Sequence, residues 1–317
     1  MNTMPVATLS LLIKEKASEL GFDLCGITSV QPILEWKERF SEWLKSEMNG
    51  NMEYLSRNIS MRSDPGLLVE NAKSIIVTGL NYFPGSVNFN TNNFIISKYA
   101  YGDDYHKLIK GKLKILLNYI RELQPYSGGR IFADSAPIFE KAWARQAGLG
   151  WVGKNSVLIN PEIGSFFFIG EIITDIELSY DKPYEKDNCR TCSKCVEACP
   201  TGAININKTI DARRCISYLT VENKSEIPLE FNGKTRSRIF GCDICQDICP
   251  WNKRAKSHNI NELRPSENLI QMNTNDWVSL TEGDFEKLFK KAAIKRVKFE
   301  GLKRNISFAI NSITTDN

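Results

Sequence analysis

Histidine is scarce in this chain of 317 residues, in which His106 and His258 are the only two. That scarcity excludes a histidine-rich metal centre. Long apolar runs are also missing: no stretch of about 18 apolar residues occurs, so no transmembrane helix is expected. The first residues carry no basic segment and no paired arginines, so no targeting signal is predicted. We therefore expect a cytoplasmic protein with no membrane partner.

Cysteine is rare outside one segment. Eight of the nine cysteines lie between Cys189 and Cys249, and the ninth, Cys25, stands alone in an apolar stretch. A small core side chain is expected at Cys25. In a reducing compartment, clustered cysteines indicate metal ligands before they indicate disulfides.

Charge is nearly balanced, and its distribution is uneven. Residues 1–180 carry 18 basic and 19 acidic side chains, whereas residues 181–317 carry 23 and 18. A polyanionic partner, if there is one, is therefore expected at the second half. With 42% hydrophobic and 25% charged residues, the composition is that of a globular protein and excludes a disordered chain.

The apolar patterns predict an N-terminal domain of mixed class, α+β or α/β, with helices layered on a sheet over residues 1–180. Helical spacing occurs in residues 7–20, 32–48, 104–123 and 138–150. Strands are predicted in residues 22–30, 72–83, 129–137 and 165–178. A cysteine-rich domain is predicted over residues 181–260. A short, basic, helical C-terminal segment is predicted over residues 261–317, with helical periodicity in residues 277–317.

The first four clustered cysteines have the spacing of a bacterial ferredoxin, which predicts a ferredoxin-like fold for residues 181–260. They run C-x2-C-x2-C-x3-C-P from Cys189 to Pro200, and a second set follows with a similar Cys-Pro ending. A crossover between the two sets assigns four thiolates to each of two [4Fe–4S] clusters. One cluster takes Cys189, Cys192, Cys195 and Cys249, and the other takes Cys199, Cys215, Cys242 and Cys245. Structural zinc is the alternative, because CxxC pairs also occur in four-cysteine zinc sites.

Two clusters in one domain form an electron relay. A relay without its own substrate would be a ferredoxin-type electron carrier, but such a carrier does not need 180 residues in front of it. The first domain is therefore expected to hold the chemistry.

Longer motifs resemble a known family. They are SKYAYGDDYHKLIKGKL (97–113), IFADSAPIFEKAWARQAGLGWVGKNSVLINPEIGSFFFIGEIITD (131–175), CISYLTVENKSEIP (215–228) and GCDICQDICPWNK (241–253). Together with the cysteine pattern they resemble epoxyqueuosine reductases. The resemblance implies two [4Fe–4S] clusters, a cobalamin in the first domain, and reduction of epoxyqueuosine to queuosine at the wobble position of tRNA. Electrons would pass from the clusters to cobalamin, supplied by an external donor such as a flavodoxin or ferredoxin. A reductive dehalogenase-like enzyme is the alternative with the same cofactors.

Asp134 is the candidate catalytic residue. Its position before Ser135 is also typical of a turn or helix-cap aspartate. The resemblance implies that it donates a proton, and opening an epoxide requires protons delivered to oxygen. A carboxyl beside an apolar corrin is expected to have a raised pKa.

The resemblance also implies a set of cofactor-binding residues. The alternatives are a surface arginine for Arg57 and an ordinary turn for the glycine-rich segment after Gly150. The implied set is Arg57, Ser97, Asp134, Lys154, Asn155, Ser156, Leu158, Ile159, Asn160, Ser217 and Gly241. Asp104-Tyr105-His106 begins like the D-x-H-x-x-G motif of cobalt-ligating histidines, but Ile109 replaces the glycine. We expect His106 to form a structural hydrogen bond near a helix N-terminus.

Basic residues of the second half are candidates for tRNA contact, with a solvated charged face as the alternative. Residues 286–304 contain eight basic and two acidic side chains. Anticodon recognition combines phosphate contacts with contacts to a splayed base. The candidates are Tyr218, Lys224, Arg236, Arg238, Lys253, Arg254, Lys290, Lys291, Lys295 and Arg296.

Overall fold

The computed structural model describes residues 4–90 and 94–314. Its helices are α1 (Val6–Glu19), α2 (Leu34–Lys45), α3 (Ile59–Ser63), α4 (Tyr105–Leu123), α5 (Glu140–Gln146), α6 (Lys194–Ala198), α7 (Ile216–Val221), α8 (Ile244–Asp247), α9 (Glu267–Gln271), α10 (Thr274–Val278), α11 (Glu282–Leu288) and α12 (Lys298–Thr314). Its strands are β1 (Leu24–Ser29), β2 (Ser74–Asn81), β3 (Ile95–Ile96), β4 (Gly129–Phe132), β5 (Trp151–Val152), β6 (Leu158–Ile159), β7 (Phe167–Thr174) and β8 (Arg238–Phe240). The prediction of mixed helices and strands is confirmed.

The main sheet has four strands in the order β1-β2-β7-β4. Every neighbouring pair is antiparallel, with Ile76 opposite Ile27 on one side and Ile172 on the other. All eight residues of β2 are buried. The continuous apolar runs that predicted these strands therefore reflect a sheet covered on both faces.

Two helical layers cover the sheet. On one face α1 and α4 enclose a core that includes Ile13, Ile109 and Leu113. On the other face α5 contributes Trp143 to a second core. The buried residues of α4 recur at helical spacing, and the Asp104 carboxylate caps its N-terminus by accepting the His106 amide hydrogen.

The C-terminal helices α9 to α12 contribute to a third hydrophobic core. There β3 pairs in parallel with β8, and the helices from α9 to α12 pack against this pair. Asn305 of α12 donates to the carbonyls of Thr220 and Ile239, each at 2.8 Å. The helical periodicity predicted for residues 277–317 is found in α10, α11 and α12, and residues 315–317 lie outside the described residues.

The cysteine-rich part is built from turns and short helices. The five-residue α6 and the four-residue α8 pack against each other. Within the described part of the chain, no helix has the length and apolar character to cross a membrane.

Candidate active site and iron–sulfur region

The eight clustered cysteines are all free thiols, partly accessible to solvent. The pKa of Cys195 is raised by burial and then by the neighbouring Cys189 and Cys249. Burial likewise raises the pKa of Cys249, with Cys189 and Cys192 contributing. The Cys249 thiol therefore lies near the thiols of Cys189, Cys192 and Cys195, although it is far from them in the sequence.

The remaining four thiols form a second neighbourhood. The pKa of Cys245 is raised by burial and by Cys215 and Cys242. Burial is also the main cause at Cys215, where the Cys199 thiol adds to the rise. Cys195 contributes to the rise at Cys245, so the two neighbourhoods adjoin. Among the described residues, no group of three or more His, Cys, Asp or Glu side chains could hold a single metal ion.

An aromatic cluster covers Cys189. The indole nitrogen of Trp151 lies 3.4 Å from the Cys189 sulfur. The Trp151 ring stacks on Tyr184 at 5.7 Å and meets Trp251 edge to face at 5.0 Å. The spacing of the cysteines gave no indication of this contact, because the two residues lie on separate elements.

The predicted cofactor segment 154–160 bonds to the cysteine-rich part. Lys154 Nζ donates to the Arg190 carbonyl at 2.9 Å, and Ser156 Oγ donates to the Lys208 carbonyl at 2.5 Å. Asn155 Nδ2 donates to the carbonyl of Cys245, one of the predicted cluster ligands, at 3.3 Å. The segment thus joins the sheet domain to the cysteine-rich part.

The rest of that segment is buried. Leu158 and Ile159 form β6, and Asn160 Nδ2 donates to the Leu149 carbonyl at 2.6 Å. Gly150 adopts a φ of +159°, and a Cβ there would lie 2.1 Å from the Ile159 carbonyl oxygen. The close approach of the two backbones therefore requires glycine at this turn.

Ser97 and Gly241 lie in contact beside Cys242. The Ser97 hydroxyl donates to the Asp243 carboxylate. Gly241 has a φ of +70°, and a Cβ there would lie 2.5 Å from Ser97 Cβ. The carbonyl of Ser217, also predicted for the cofactor, accepts a long hydrogen bond of 3.5 Å from the Thr220 hydroxyl. The same Thr220 hydroxyl accepts the Gly241 amide hydrogen at 2.9 Å, which connects the three predicted residues.

Asp134 lies in the loop after β4 and accepts two side-chain hydrogen bonds. Tyr105 Oη donates at 3.0 Å and His106 Nε2 at 3.1 Å. The other ring nitrogen of His106 lies 2.6 Å from the Asp104 carboxylate. The Asp134 side chain is 54% exposed, so it faces an open site. The structural hydrogen bond expected for His106 is present, and the contact with Asp134 was not predicted.

The electrostatics of this group differ from the expectation for Asp134. The hydrogen bond from His106 lowers the pKa of Asp134, more than burial raises it. The same bond raises the pKa of His106. With a carboxylate at each ring nitrogen, both nitrogens donate when the imidazole is doubly protonated. The pKa of Asp134 therefore shifts down, opposite to the direction expected for a carboxyl beside a corrin, and the hydrogen bond favours a proton on His106.

The predicted cationic residues differ in their surroundings. Arg57, Lys224, Arg236, Lys253 and Lys290 are exposed. Others are engaged within the chain. Arg238 donates to the Arg236 carbonyl, Arg254 donates to the Pro161 carbonyl, Lys291 lies near Asp103, Lys295 pairs with Glu286, and Arg296 pairs with Glu222.

Arg296 is a predicted tRNA-binding residue whose charge interacts with that of Asp134. Its guanidinium lies 2.7 Å from Glu222 Oε1. Burial lowers its pKa, but Glu222, Tyr54 and Asp134 together raise it above the ordinary value. Arg296 therefore belongs to the electrostatic surroundings of Asp134.

Two predictions fall on buried residues. The Tyr218 ring is 8% exposed, and its hydroxyl accepts the Asn51 amide hydrogen at 2.7 Å. This places Tyr218 in the interior, where it supports the turn at Gly50. Cys25 lies in β1, and burial raises the pKa of its thiol to about 12. Cys25 is partly buried and packs against the core beneath the sheet, in agreement with the small core side chain expected.

Comparison with known proteins agrees with this arrangement. Residues 188–252 match the family model described as "4Fe-4S double cluster binding domain". Residues 62–135 match the model "Epoxyqueuosine reductase QueG, DUF1730". An epoxyqueuosine reductase of Cellulophaga algicola is 48% identical over 297 residues, which cover 94% of this chain and 96% of that protein.

Solved structures have the same fold. A crystal structure of epoxyqueuosine reductase with an epoxyqueuosine-modified tRNA-Tyr stem loop gives a TM-score of 0.88 at 28% identity, covering 96% of this chain and 82% of that one. A Bacillus subtilis epoxyqueuosine reductase, with the loop of its catalytic aspartate swung out of the active site, gives the same TM-score, identity and coverages.

An antiparallel sheet domain joined to a double-cluster domain, with a hydrogen-bonded acid group at an open site, defines an iron–sulfur oxidoreductase. An identity of 48% over nearly the whole of both chains establishes the family of this protein. This chain belongs to the epoxyqueuosine reductases.

Proposed function

We propose that this protein reduces epoxyqueuosine to queuosine in tRNA. The observation that carries the proposal is the Asp134–His106 hydrogen bond of 3.1 Å in a chain that also has a double-cluster domain. The reaction takes up two electrons and two protons, and gives an alkene and water. The clusters supply the electrons, and the Asp134–His106 pair holds a proton where the leaving oxygen needs it. The name of the relative and the stem-loop complex support tRNA as the substrate.

Each cluster is held by four of the cysteines in this proposal. The first takes Cys189, Cys192, Cys195 and Cys249, and the second takes Cys199, Cys215, Cys242 and Cys245. The neighbour relations among the thiols support this division. Residues 181–260 thus form the relay, residues 1–180 hold the chemistry, and residues 261–317 contribute to tRNA binding. An external low-potential donor, such as a ferredoxin or flavodoxin, supplies electrons to the two clusters.

Cobalamin is the further cofactor that we propose for the site. The Oδ1 atom of Asn155 is buried and has no hydrogen-bond partner among the described residues. A buried acceptor of this kind fits a ligand with amide N–H donors, such as the periphery of a corrin. Arg57, Ser97, Asn155, Ser217 and Gly241 would contribute to holding it. When bound, cobalamin supplies a low-potential cobalt centre for electron transfer to carbon.

In this proposal the chain's own residues manage the proton. Tyr105 and His106 orient the Asp134 carboxylate toward the open site, because both donate to its Oδ2 atom. Asp104 fixes the far side of the imidazole at 2.6 Å and favours its charged form. We propose that the loop of Asp134 moves as the corresponding loop does in the Bacillus subtilis enzyme, so that substrate can enter.

The test is mass spectrometry of tRNA nucleosides after incubation with the reduced, reconstituted protein. Epoxyqueuosine in the substrate tRNA should convert to queuosine. Protein with Asp134→Asn is the control, since the amide has a similar shape but no negative charge to hold the proton on His106. A reconstituted protein that leaves epoxyqueuosine unchanged would overturn the proposal.

A further inference from the structure

Two more carboxyl groups lie behind Asp134. Glu140 begins α5, and its Oε1 accepts the backbone amide hydrogen of Asp134. Glu171 lies in β7 opposite Phe132 of β4, two residues before Asp134. Glu171 is 0% exposed, and within the described chain neither of its carboxyl oxygens has a hydrogen-bond partner.

An unpaired carboxylate in the interior is costly, which favours a neutral Glu171. Burial raises the pKa of Glu171 well above its ordinary value, and the charges of Glu140 and Asp134 raise it further. Burial also raises the pKa of Glu140 to about 8, with Asp134 adding to the rise. Lys141 and His106 face Glu140 and oppose that rise. At neutral pH the pair therefore retains protons.

The backbone of Asp134 needs a contact of this kind. Its φ is +57°, in the left-handed region that non-glycine residues rarely adopt. The Glu140 carboxyl accepts the amide hydrogen of this one residue and thereby fixes the turn. At the residue that follows Asp134, Lys110 Nζ donates to Ser135 Oγ at 2.8 Å. Nothing in the catalytic proposal uses Glu140 or Glu171.

We propose that Glu140 is a positioning residue that holds Asp134 in the site, and that the neutral Glu171 beside it preserves this contact. When both carboxyls lose their protons, two negative charges lie next to the negative charge of Asp134. Their repulsion expels the loop and carries Asp134 away from His106. The catalytic role of Asp134 in this inference rests on the proposed function. The position of its loop does not depend on that function and can be measured separately.

The test measures the loop directly. Hydrogen–deuterium exchange of the segment 132–139 is followed by mass spectrometry in the full chain with its clusters, from pH 6 to 9.5, corrected for the intrinsic exchange rate. Wild-type protein should protect this segment near pH 7 and lose the protection at higher pH, once Glu140 and Glu171 have ionised. Glu140→Ala should lose the protection at every pH, because the acceptor is gone.

Two conservative variants distinguish a role of the two carboxyl groups in positioning Asp134 from a role in packing alone. Glu140→Gln keeps an acceptor oxygen and Glu171→Gln keeps the volume, and each removes one of the two charges. Both should keep the segment protected to higher pH than the wild-type protein does. Glu122→Gln changes an exposed glutamate of α4 and should behave as wild type. Because two glutamines are tested at different positions, failure of one variant to fold leaves the other informative.

Turnover provides the second measurement. Glu140→Ala should lower kcat at neutral pH about 100-fold, with KM for tRNA nearly unchanged, since a misplaced acid group costs rate and not binding. Glu140→Gln should restore most of that loss. If Glu140→Ala protects the segment as wild type does, or if both glutamine variants lose protection at the wild-type pH, the inference is wrong. If wild-type protein yields no queuosine while the exchange pattern holds, the proposed function fails and the positioning role stands.

Discussion

The indole N–H of Trp151 points at the sulfur of Cys189 from 3.4 Å, so a side chain of the sheet domain reaches a predicted cluster ligand directly. Hydrogen bonds to cluster sulfurs are among the features that set the reduction potential. Such a bond stabilises the reduced cluster more than the oxidised one, because reduction adds negative charge to the sulfurs.

We expect Trp151→Phe to lower the potential of the cluster that Cys189 holds. Loss of about 1 kcal/mol of hydrogen bonding corresponds to about 40 mV for a one-electron couple. Redox titration followed by electron paramagnetic resonance measures the shift. Trp251→Phe is the matched control, because its ring packs on Trp151 edge to face. Equal potentials in the Trp151 variant and the wild type would show that the contact does not act on the cluster.

The metal content tests the division of the cysteines. Two four-thiolate sites predict about eight irons and eight acid-labile sulfides per chain after anaerobic reconstitution. Cys245→Ala should remove the second cluster and leave about four irons, whereas Cys25→Ala should leave the iron content unchanged. Stoichiometric zinc in protein purified without oxygen, with no iron uptake on reconstitution, would favour the zinc alternative.

Much of the fold could be predicted from the sequence, because strong local patterns govern it. The apolar runs of β2 and β7 and the helical spacing of α4 each reflect burial against a neighbour, and burial leaves a periodic trace. The eight cysteines were recognised by spacing for the same reason, since a short loop around a cluster fixes the separation of its ligands.

The site could be predicted only in part, since its important contacts join residues far apart in the chain. His106 and Asp134 are 28 positions apart, and nothing local to either residue indicates their contact. Glu171 resembles any polar interruption of a strand until the fold encloses it. Tyr218 was predicted to contact tRNA but is buried. An aromatic residue in such a motif is typical both of base stacking and of a core position. Contacts between residues that are distant in the chain can be identified only once the fold is known.

Asp134→Asn should keep both clusters and lose most turnover. General acid groups contribute about 10²–10⁴-fold, and the neutral amide no longer favours the charged imidazole that holds the proton. Single-turnover conversion of epoxyqueuosine measures the loss, and iron analysis checks that the clusters are retained. Activity within twofold of wild type would assign Asp134 to the turn alone.

The pH dependence should report on His106. Its pKa is raised by the hydrogen bond to Asp134, against the effect of burial. A raised pKa in the folded state means that the stabilisation is complete below the ordinary histidine pKa of about 6.5 and is lost as pH rises through the folded value. Turnover should fall over the same range, because the proton leaves the pair.

His106→Gln tests this relation. The glutamine cannot titrate, so the part of the pH dependence of unfolding due to His106 should disappear, and kcat should fall roughly 100-fold. His258→Gln is the comparison, since burial lowers the pKa of His258 instead. Unfolding curves with the same pH dependence in the His106 variant and the wild type would contradict the assignment of the proton to His106.

The C-terminal cations should divide into two functional groups. Lys290 is exposed and Lys291 lies 3.9 Å from Asp103 at the surface, whereas Arg296 pairs with Glu222 near Asp134. Phosphate contacts position RNA without taking part in chemistry. Replacing Lys290 and Lys291 with Ala should therefore raise KM for tRNA and leave kcat nearly unchanged.

Salt dependence separates these groups. Each lost phosphate contact should reduce the log–log slope of affinity against salt by about 0.7, as for single-stranded RNA. Arg296→Ala should lower kcat as well as affinity, because it frees the Glu222 carboxylate beside the site and removes a positive charge close to Asp134. Lys114→Ala, on the exposed face of α4, should change neither constant. If the double lysine variant binds an anticodon stem loop with wild-type affinity and slope, these lysines are a solvated surface, and the tRNA phosphates are held elsewhere on the chain.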